Sequence, residues 1–212
     1  MDSLAPALVA WSVAARTRRG EIESGDGYFI EATAQRALVA VLDGLGHGGP
    51  AAAATRTALA LVTLHKRESL TAIARRCHEA LPETRGGVIG LGLFKGGDDT
   101  LSWLGIGNVA GTLLRAKGGS VVLVPRGGLL GRSLPALGPS VMTVSYGDTL
   151  IVTTDGVRWR YDDAPIPLDT PERTARRLIA DHASGDDDAL VVVARYQRGG
   201  RAQASTTPRR IA

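Results

Sequence analysis

Apolar positions along this chain fall into two rhythms: short unbroken runs, and stretches repeating at helical spacing. Residues 37–42, ALVAVL, hold six apolar positions without a polar break. Such a run predicts a strand covered on both faces, because a half-exposed strand alternates apolar and polar residues. Residues 149–154, TLIVTT, and 189–194, ALVVVA, read as apolar strands of the same kind. Further strands are predicted over 8–17, 28–33, 88–94, 100–106, 109–116, 121–124 and 141–145, with Gly, Asn and Asp in the turns. Three helices interrupt them. The first runs from Pro50, a residue suited to open a helix, to about Lys66, and its small face (51–54 with Ala58) permits close packing on a sheet. Ser69 caps the second, which runs to about Leu81 with Leu70, Ile73, Ala74, Cys77 and Leu81 in one stripe. Thr170-Pro171 begins the third, with Ala175, Leu178, Ile179 and His182 on one side. Segment 125–139, PRGGLLGRSLPALGP, follows neither rhythm and predicts a long loop, of the kind that is usually functional or disordered.

Composition narrows the class. A chain of 212 residues, 44% hydrophobic and 22% charged, can bury one sizeable core, so residues 1–197 are read as one domain. The formal charge is +4, and Arg198, Arg201, Arg209 and Arg210 lie in the acid-free stretch 198–212; removing these four leaves zero for 1–197. The body therefore lacks the basicity of a nucleic-acid binder, and 198–212 reads as a basic, disordered tail. The one cysteine, Cys77, rules out an internal disulfide, and its place in the helix stripe marks it as core filler rather than nucleophile. His65, His78 and His182 stand alone on helices. Residues 4–15 are too short to span a membrane, and basic residues follow rather than precede them, the wrong order for a signal peptide. The expectation is a cytoplasmic monomer that binds neither membrane nor nucleic acid.

The chemistry lies where the strands end. Asp43-Gly44 closes the run 37–42, and Asp155-Gly156 closes 149–154. Asp26 stands at the mouth of the hairpin leading to Asp43, and Asp186, Asp187 and Asp188 precede the last strand. A single Asp-Gly is first of all a hairpin turn. After Asp43, however, comes a Gly-rich turn with Gly46, His47, Gly48 and Gly49, and then an Ala-rich helix. Charges beside a core are costly unless paired or coordinated. The absence of a His/Cys cluster argues against zinc, whereas carboxylates with a backbone carbonyl suit magnesium or manganese. Two such ions about 3.5–4 Å apart would neutralise converging carboxylates and activate a water against a phosphate ester. No GxSxG or phosphate-binding GxxxxGK[ST] is present, and the GxG at 105–107 leads into a strand, not the helix of a dinucleotide site.

The ordered set GD (25–26), VLDGLGHG (41–48), GNVAGTLLR (107–115), VTTDGV (152–157) and DDDALVVV (186–193) resembles the PPM-type metal-dependent protein phosphatases, in their bacterial SpoIIE-like branch. Within that branch, the compact single domain, the RGG that begins at Arg85 and LGIGNV (104–109) are most similar to the feedback phosphatases of stressosome systems. The resemblance covers about residues 8–195. It implies an α+β fold, a four-layer α-β-β-α sandwich of two antiparallel sheets flanked by helices. It implies two Mn2+ or Mg2+ ions in a cleft at one end. Asp43 would bridge both and the Gly44 carbonyl would bind one; Asp155 and Asp187 would complete the first ion's shell, and Asp26 would serve the second. The implied substrate is phosphoserine or phosphothreonine on a STAS-domain protein, hydrolysed with Asp43 and Asp155 as the catalytic pair. Three departures stand out. Leu45 holds the place of a histidine, no arginine is evident near the first acidic motif to grip phosphate, and Asn108-Val109 stands where an acidic residue is frequent. Arg126 and Arg132 in the loop 125–139 are the candidate substrate contacts. The alternatives are a catalytically inactive PPM fold serving as a binding module, a metal-stabilised structural domain, and a phosphatase of an anti-sigma-factor antagonist. Retention of all four acidic positions favours the enzyme.

Overall fold

The computed structural model describes residues 6–159 and 169–198. In chain order its elements are β1 (Val9–Arg16), β2 (Asp26–Ala32), β3 (Arg36–Gly44), α1 (Gly48–Leu64), α2 (Leu70–Ala80), β4 (Gly87–Lys95), β5 (Thr100–Ile106), β6 (Ala110–Leu114), β7 (Ser120–Leu123), β8 (Ser140–Thr143), β9 (Thr149–Thr153), α3 (Pro171–His182) and β10 (Ala189–Tyr196). The strands form two antiparallel five-stranded sheets, ordered β1-β10-β9-β6-β7 and β2-β3-β4-β5-β8.

The unbroken apolar run of β3 has a simple cause. Ala37, Val39 and Val41 face the space between the sheets, where they join Phe94, Leu150, Val192 and Tyr196. Leu38, Ala40 and Leu42 face the opposite way, onto Ala54 and Ala58 of α1 and Ile73 and Cys77 of α2. Both faces are dry, so no polar residue interrupts the strand. On the far side, Ala175, Leu178 and Ile179 of α3 cover Ile151, Val191 and Val193 of the other sheet. Helices, sheet, sheet and helix thus make the four expected layers. Cys77 is fully buried, and its thiol is pushed up to about 12 by desolvation, in keeping with core filler.

Two elements differ from the sequence expectation. Helix α1 starts at Gly48 rather than Pro50. Pro50 instead occupies the first turn, where a missing N–H costs nothing because those groups have no intrahelical acceptor. Segment 125–139 is not a free loop. Arg126 N donates to Gly105 O at 2.9 Å and Gly107 N donates to Arg126 O at 2.8 Å, while Leu130 N donates to Gly87 O at 2.8 Å. The Leu130 side chain is fully buried in the helix-facing core. Single bridging residues separated by glycines produce no period, which is why the segment reads as structureless. Arg198, the first residue of the basic tail, donates from Nη1 to Gln35 Oε1 at 2.9 Å; the rest of that tail, from residue 199 onward, lies outside the described residues.

Candidate active site

Antiparallel pairing brings the acidic strand ends to one rim. The β2–β3 register sets Asp26 directly opposite Asp43, and the next pairing sets Gly44 opposite Gly87 at the start of β4. From the other sheet, Asp155 follows β9 and Asp187 and Asp188 precede β10. A cleft of about 450 Å³ opens there, lined by Asp43, Asp155 and Asp187 together with Arg18, His47, Asn108 and the segment 127–129. Asp26, beside Asp43 on the neighbouring strand, does not line the cleft. Its carboxylate accepts a hydrogen bond from Thr154 Oγ1 at 2.7 Å, and Thr154 Oγ1 in turn accepts from Leu190 N at 2.9 Å. One hydroxyl therefore ties the acid of one sheet to the β9–β10 pair of the other.

Both Asp-Gly pairs need their glycine for space, not for a hairpin. A Cβ on Gly44 would stand 2.2 Å from the Ala51 carbonyl oxygen in α1, and one on Gly156 would stand 2.0 Å from that of Asp188. The chain after each aspartate is pressed against a neighbouring backbone, and this presents the carboxylate at the rim.

The acidic run before β10 divides its labour. Asp187 faces the cleft. Asp188 is buried and accepts from Arg18 N at 2.9 Å and Gly25 N at 2.8 Å, holding the connection between β1 and β2 against the site. That contact places Arg18 in the cleft wall, so an arginine does stand near the first acidic motif, contrary to the departure inferred from the sequence. Local spacing conceals it because the link runs through Asp188, far along the chain. Asn108 is a second residue the sequence left without a role: its Nδ2 donates to Asp155 Oδ2 at 2.7 Å. His47 also lines the cleft, with Nδ1 and Glu21 Oε1 2.5 Å apart. Arg126 and Arg132 do not line the cleft. Arg126 lies against a separate cavity, and Arg132 donates from Nη2 to the Thr84 carbonyl at 3.1 Å.

Charge has accumulated beyond what this setting tolerates. Burial, followed by repulsion from Asp26, Asp155, Asp187 and Asp188, pushes the Asp43 carboxyl up to about 8. Burial pushes Asp26 up to about 7 despite the Thr154 hydrogen bond, with the other acids adding to the rise. Asp155 is raised by burial and then by Asp187, with Asn108 pulling the other way. Among the described residues, no three His, Cys, Asp or Glu side chains stand close enough together to form a ready-made cage, although Asp43, Asp155 and Asp187 line one cleft. The donor set nevertheless fits hard divalent cations. It consists of carboxylate oxygens near the backbone carbonyl of Gly44 at the end of β3, has no thiolate, and has an excess of negative charge that a cation would relieve.

A family model described as Stage II sporulation protein E (SpoIIE) matches residues 33–197. The chain belongs to the SpoIIE family. It is 26% identical over 140 residues to the phosphoserine phosphatase RsbX of Bacillus subtilis (strain 168), a span of 66% of this chain and 70% of that protein. A structure from work titled "The bacterial stressosome: a modular system that has been adapted to control secondary messenger signaling" superposes with a TM-score of 0.80 at 29% identity, covering 88% of this chain and 99% of the other. RsbX in complex with magnesium superposes at 0.79 with 22% identity, covering 89% of this chain and 96% of the other. The catalytic domain of the phosphatase PstP in complex with 2 manganese ions superposes at 0.69 with 20% identity, covering 91% and 100%. The last two share the fold of this chain. Like its SpoIIE-family relatives, this protein is a PP2C-type protein phosphatase. No helix among the described residues is long and apolar enough to cross a membrane.

Proposed function

We propose that this SpoIIE-family enzyme is a divalent-metal-dependent protein serine/threonine phosphatase acting in the cytoplasm on a phosphorylated STAS-domain regulator of the stressosome type. The observation that carries the reading is the meeting of Asp43, Asp155 and Asp187 in one cleft that a cation, Arg18, also lines, with Asp26 paired to Asp43 on the neighbouring strand. The likeness to RsbX and to the stressosome structure supports the partner class. When bound, two Mn2+ or Mg2+ ions supply charge neutralisation and an activated water as nucleophile. Asp43, Asp155, Asp187 and the Gly44 carbonyl would hold them, with Asp26 serving the second ion. Asn108 orients the Asp155 carboxylate through the 2.7 Å hydrogen bond. Arg18 offers a planar fork of donors to the phosphate oxygens. His47, with Nδ1 against Glu21, would serve as the proton donor to the departing serine or threonine oxygen only as the imidazolium, which carries a second proton on Nε2. Arg126 and Arg132 lie outside the cleft, so they face the body of a docked protein rather than its phosphate.

The test is phosphate release from a phosphorylated STAS domain and from p-nitrophenyl phosphate, with manganese and with chelator. Manganese-dependent release from both is expected. A protein that binds the domain yet releases no phosphate with manganese would be the inactive binding module instead.

A further inference from the structure

Thr154 stands between β9 and the cleft residue Asp155, and it is fully buried. Its polar atoms are all committed. The backbone N donates to Leu190 O at 3.1 Å, and the carbonyl accepts from Val157 N at 3.1 Å as the chain turns after β9. The side-chain hydroxyl takes the place of that carbonyl at the end of the β9–β10 ladder: Leu190 N donates to Thr154 Oγ1 at 2.9 Å. An N–H can only donate, so the hydroxyl keeps its own hydrogen for a further acceptor. That acceptor is Asp26 Oδ2, 2.7 Å away on β2 of the other sheet. A hydroxyl donating to an ionised carboxylate makes a charge-assisted bond, shorter and stronger than a neutral one.

Among the described residues the Asp26 carboxylate has no other hydrogen-bond donor, and its Oδ1 makes no hydrogen bond. Asp43, directly opposite in the β2–β3 register, offers an ionised Asp26 only repulsion. A short acidic side chain pressed by another acid turns away unless something holds it. The Thr154 hydroxyl ties Oδ2 to the far sheet and leaves Oδ1 as the oxygen free to meet a cation. Asp155 is supported differently, by Asn108, so the hydrogen that Thr154 gives to Asp26 is not part of its anchoring. We propose that Thr154 is a positioning residue for Asp26, and that its hydroxyl thereby governs the binding of the second divalent ion while leaving the first ion's ligands, Asp155 and Asp187, as they are. This rests on the reading of the site as a two-metal phosphatase centre.

The test follows manganese uptake by the full chain, with titration calorimetry counting the ions and circular dichroism checking the fold. The wild type should take up two ions. Thr154→Val keeps the shape of the side chain and removes the hydroxyl. It should hold one ion as the wild type does and the other about tenfold more weakly, the scale of one charge-assisted hydrogen bond. Thr154→Ser restores the hydroxyl and should hold both ions as the wild type does. Asp26→Asn should weaken the same ion as Thr154→Val, and combining the two should cost nothing further, because a residue that acts through Asp26 then has nothing left to position. A merely structural role would weaken both ions, or would add its full loss to that of Asp26→Asn, and either result overturns the proposal. So does a Thr154→Val variant with both affinities intact, or a Thr154→Ser variant that loses the second ion. The serine arm decides even if the valine variant does not fold. A wild type that takes up fewer than two ions overturns the two-metal reading itself, and the proposal falls with it.

Discussion

Asp43 should have opposite effects on stability and on catalysis. It is the most repelled carboxylate of the site, held up to about 8 by burial and four neighbouring acids. Asp43→Asn removes that repulsion, so the variant should melt higher than the wild type in chelator. It also removes a central oxygen donor, so manganese-dependent hydrolysis should fall at least about a hundredfold, the scale of losing one preorganised electrostatic contact. A scanning calorimeter and a p-nitrophenyl phosphate assay check both signs. Activity that survives Asp43→Asn would undo the assigned metal site. Asn108 acts one step removed, by orienting Asp155. Asn108→Ala should cost about 10- to 100-fold in activity, as supporting partners of metal ligands commonly do, and should raise the manganese concentration needed for half-maximal rate.

At the scale of elements, the segment after β7 behaves as core although it lacks secondary structure. Leu130 is fully buried among residues that pack beneath α1 and α2. Leu130→Ala should therefore destabilise by about 2–5 kcal/mol, the range for a buried leucine, where an ordinary loop leucine would lose almost nothing. Urea unfolding measures the difference. The turn between β5 and β6 is similarly constrained. Gly107 has φ +89°, and a Cβ there would stand 2.1 Å from Val88 Cγ1. Gly107→Ala meets both a left-handed backbone and a clash, and the displacement carries Asn108 with it. Activity should drop along with stability, whereas Leu130→Ala should leave the rate of the remaining folded protein near wild type.

For the whole molecule, acidity and metal act on one balance. Asp26 and Asp43 hold their protons in the folded state to about 7 and about 8, against an ordinary value of 3.8. A carboxyl whose value is raised by folding contributes its stability below the unfolded value and loses it as pH rises through the folded one. In chelator, then, the melting temperature should fall between about pH 4 and pH 8. Manganese should reverse this at neutral pH, since a ligand bound only by the folded state stabilises by about 2.7 kcal/mol at a hundredfold excess over its dissociation constant. A melting temperature indifferent to both pH and manganese over that range would argue that the acids do not share one field.

Local sequence carried the elements and the acidic residues at the strand ends that meet at one rim. A strand dry on both faces must be apolar throughout, so 37–42 announced its place in the middle of the layers. Helical spacing put Cys77 in the core, and the order of acidic motifs matched a single family. These signals are legible because each depends on neighbours within a few residues. What remained hidden depends on contacts between distant segments. Arg18 enters the cleft because Asp188 holds its backbone, and Asp187 rather than Asp188 faces that cleft because the buried partner took the structural role. Arg126 and Arg132 read alike in the loop, yet one stays exposed beside a separate cavity while the other is spent on a carbonyl. Burial, a free guanidinium and the repulsion among acids from two sheets are properties of distance in space. Only the packing of the two sheets sets those distances.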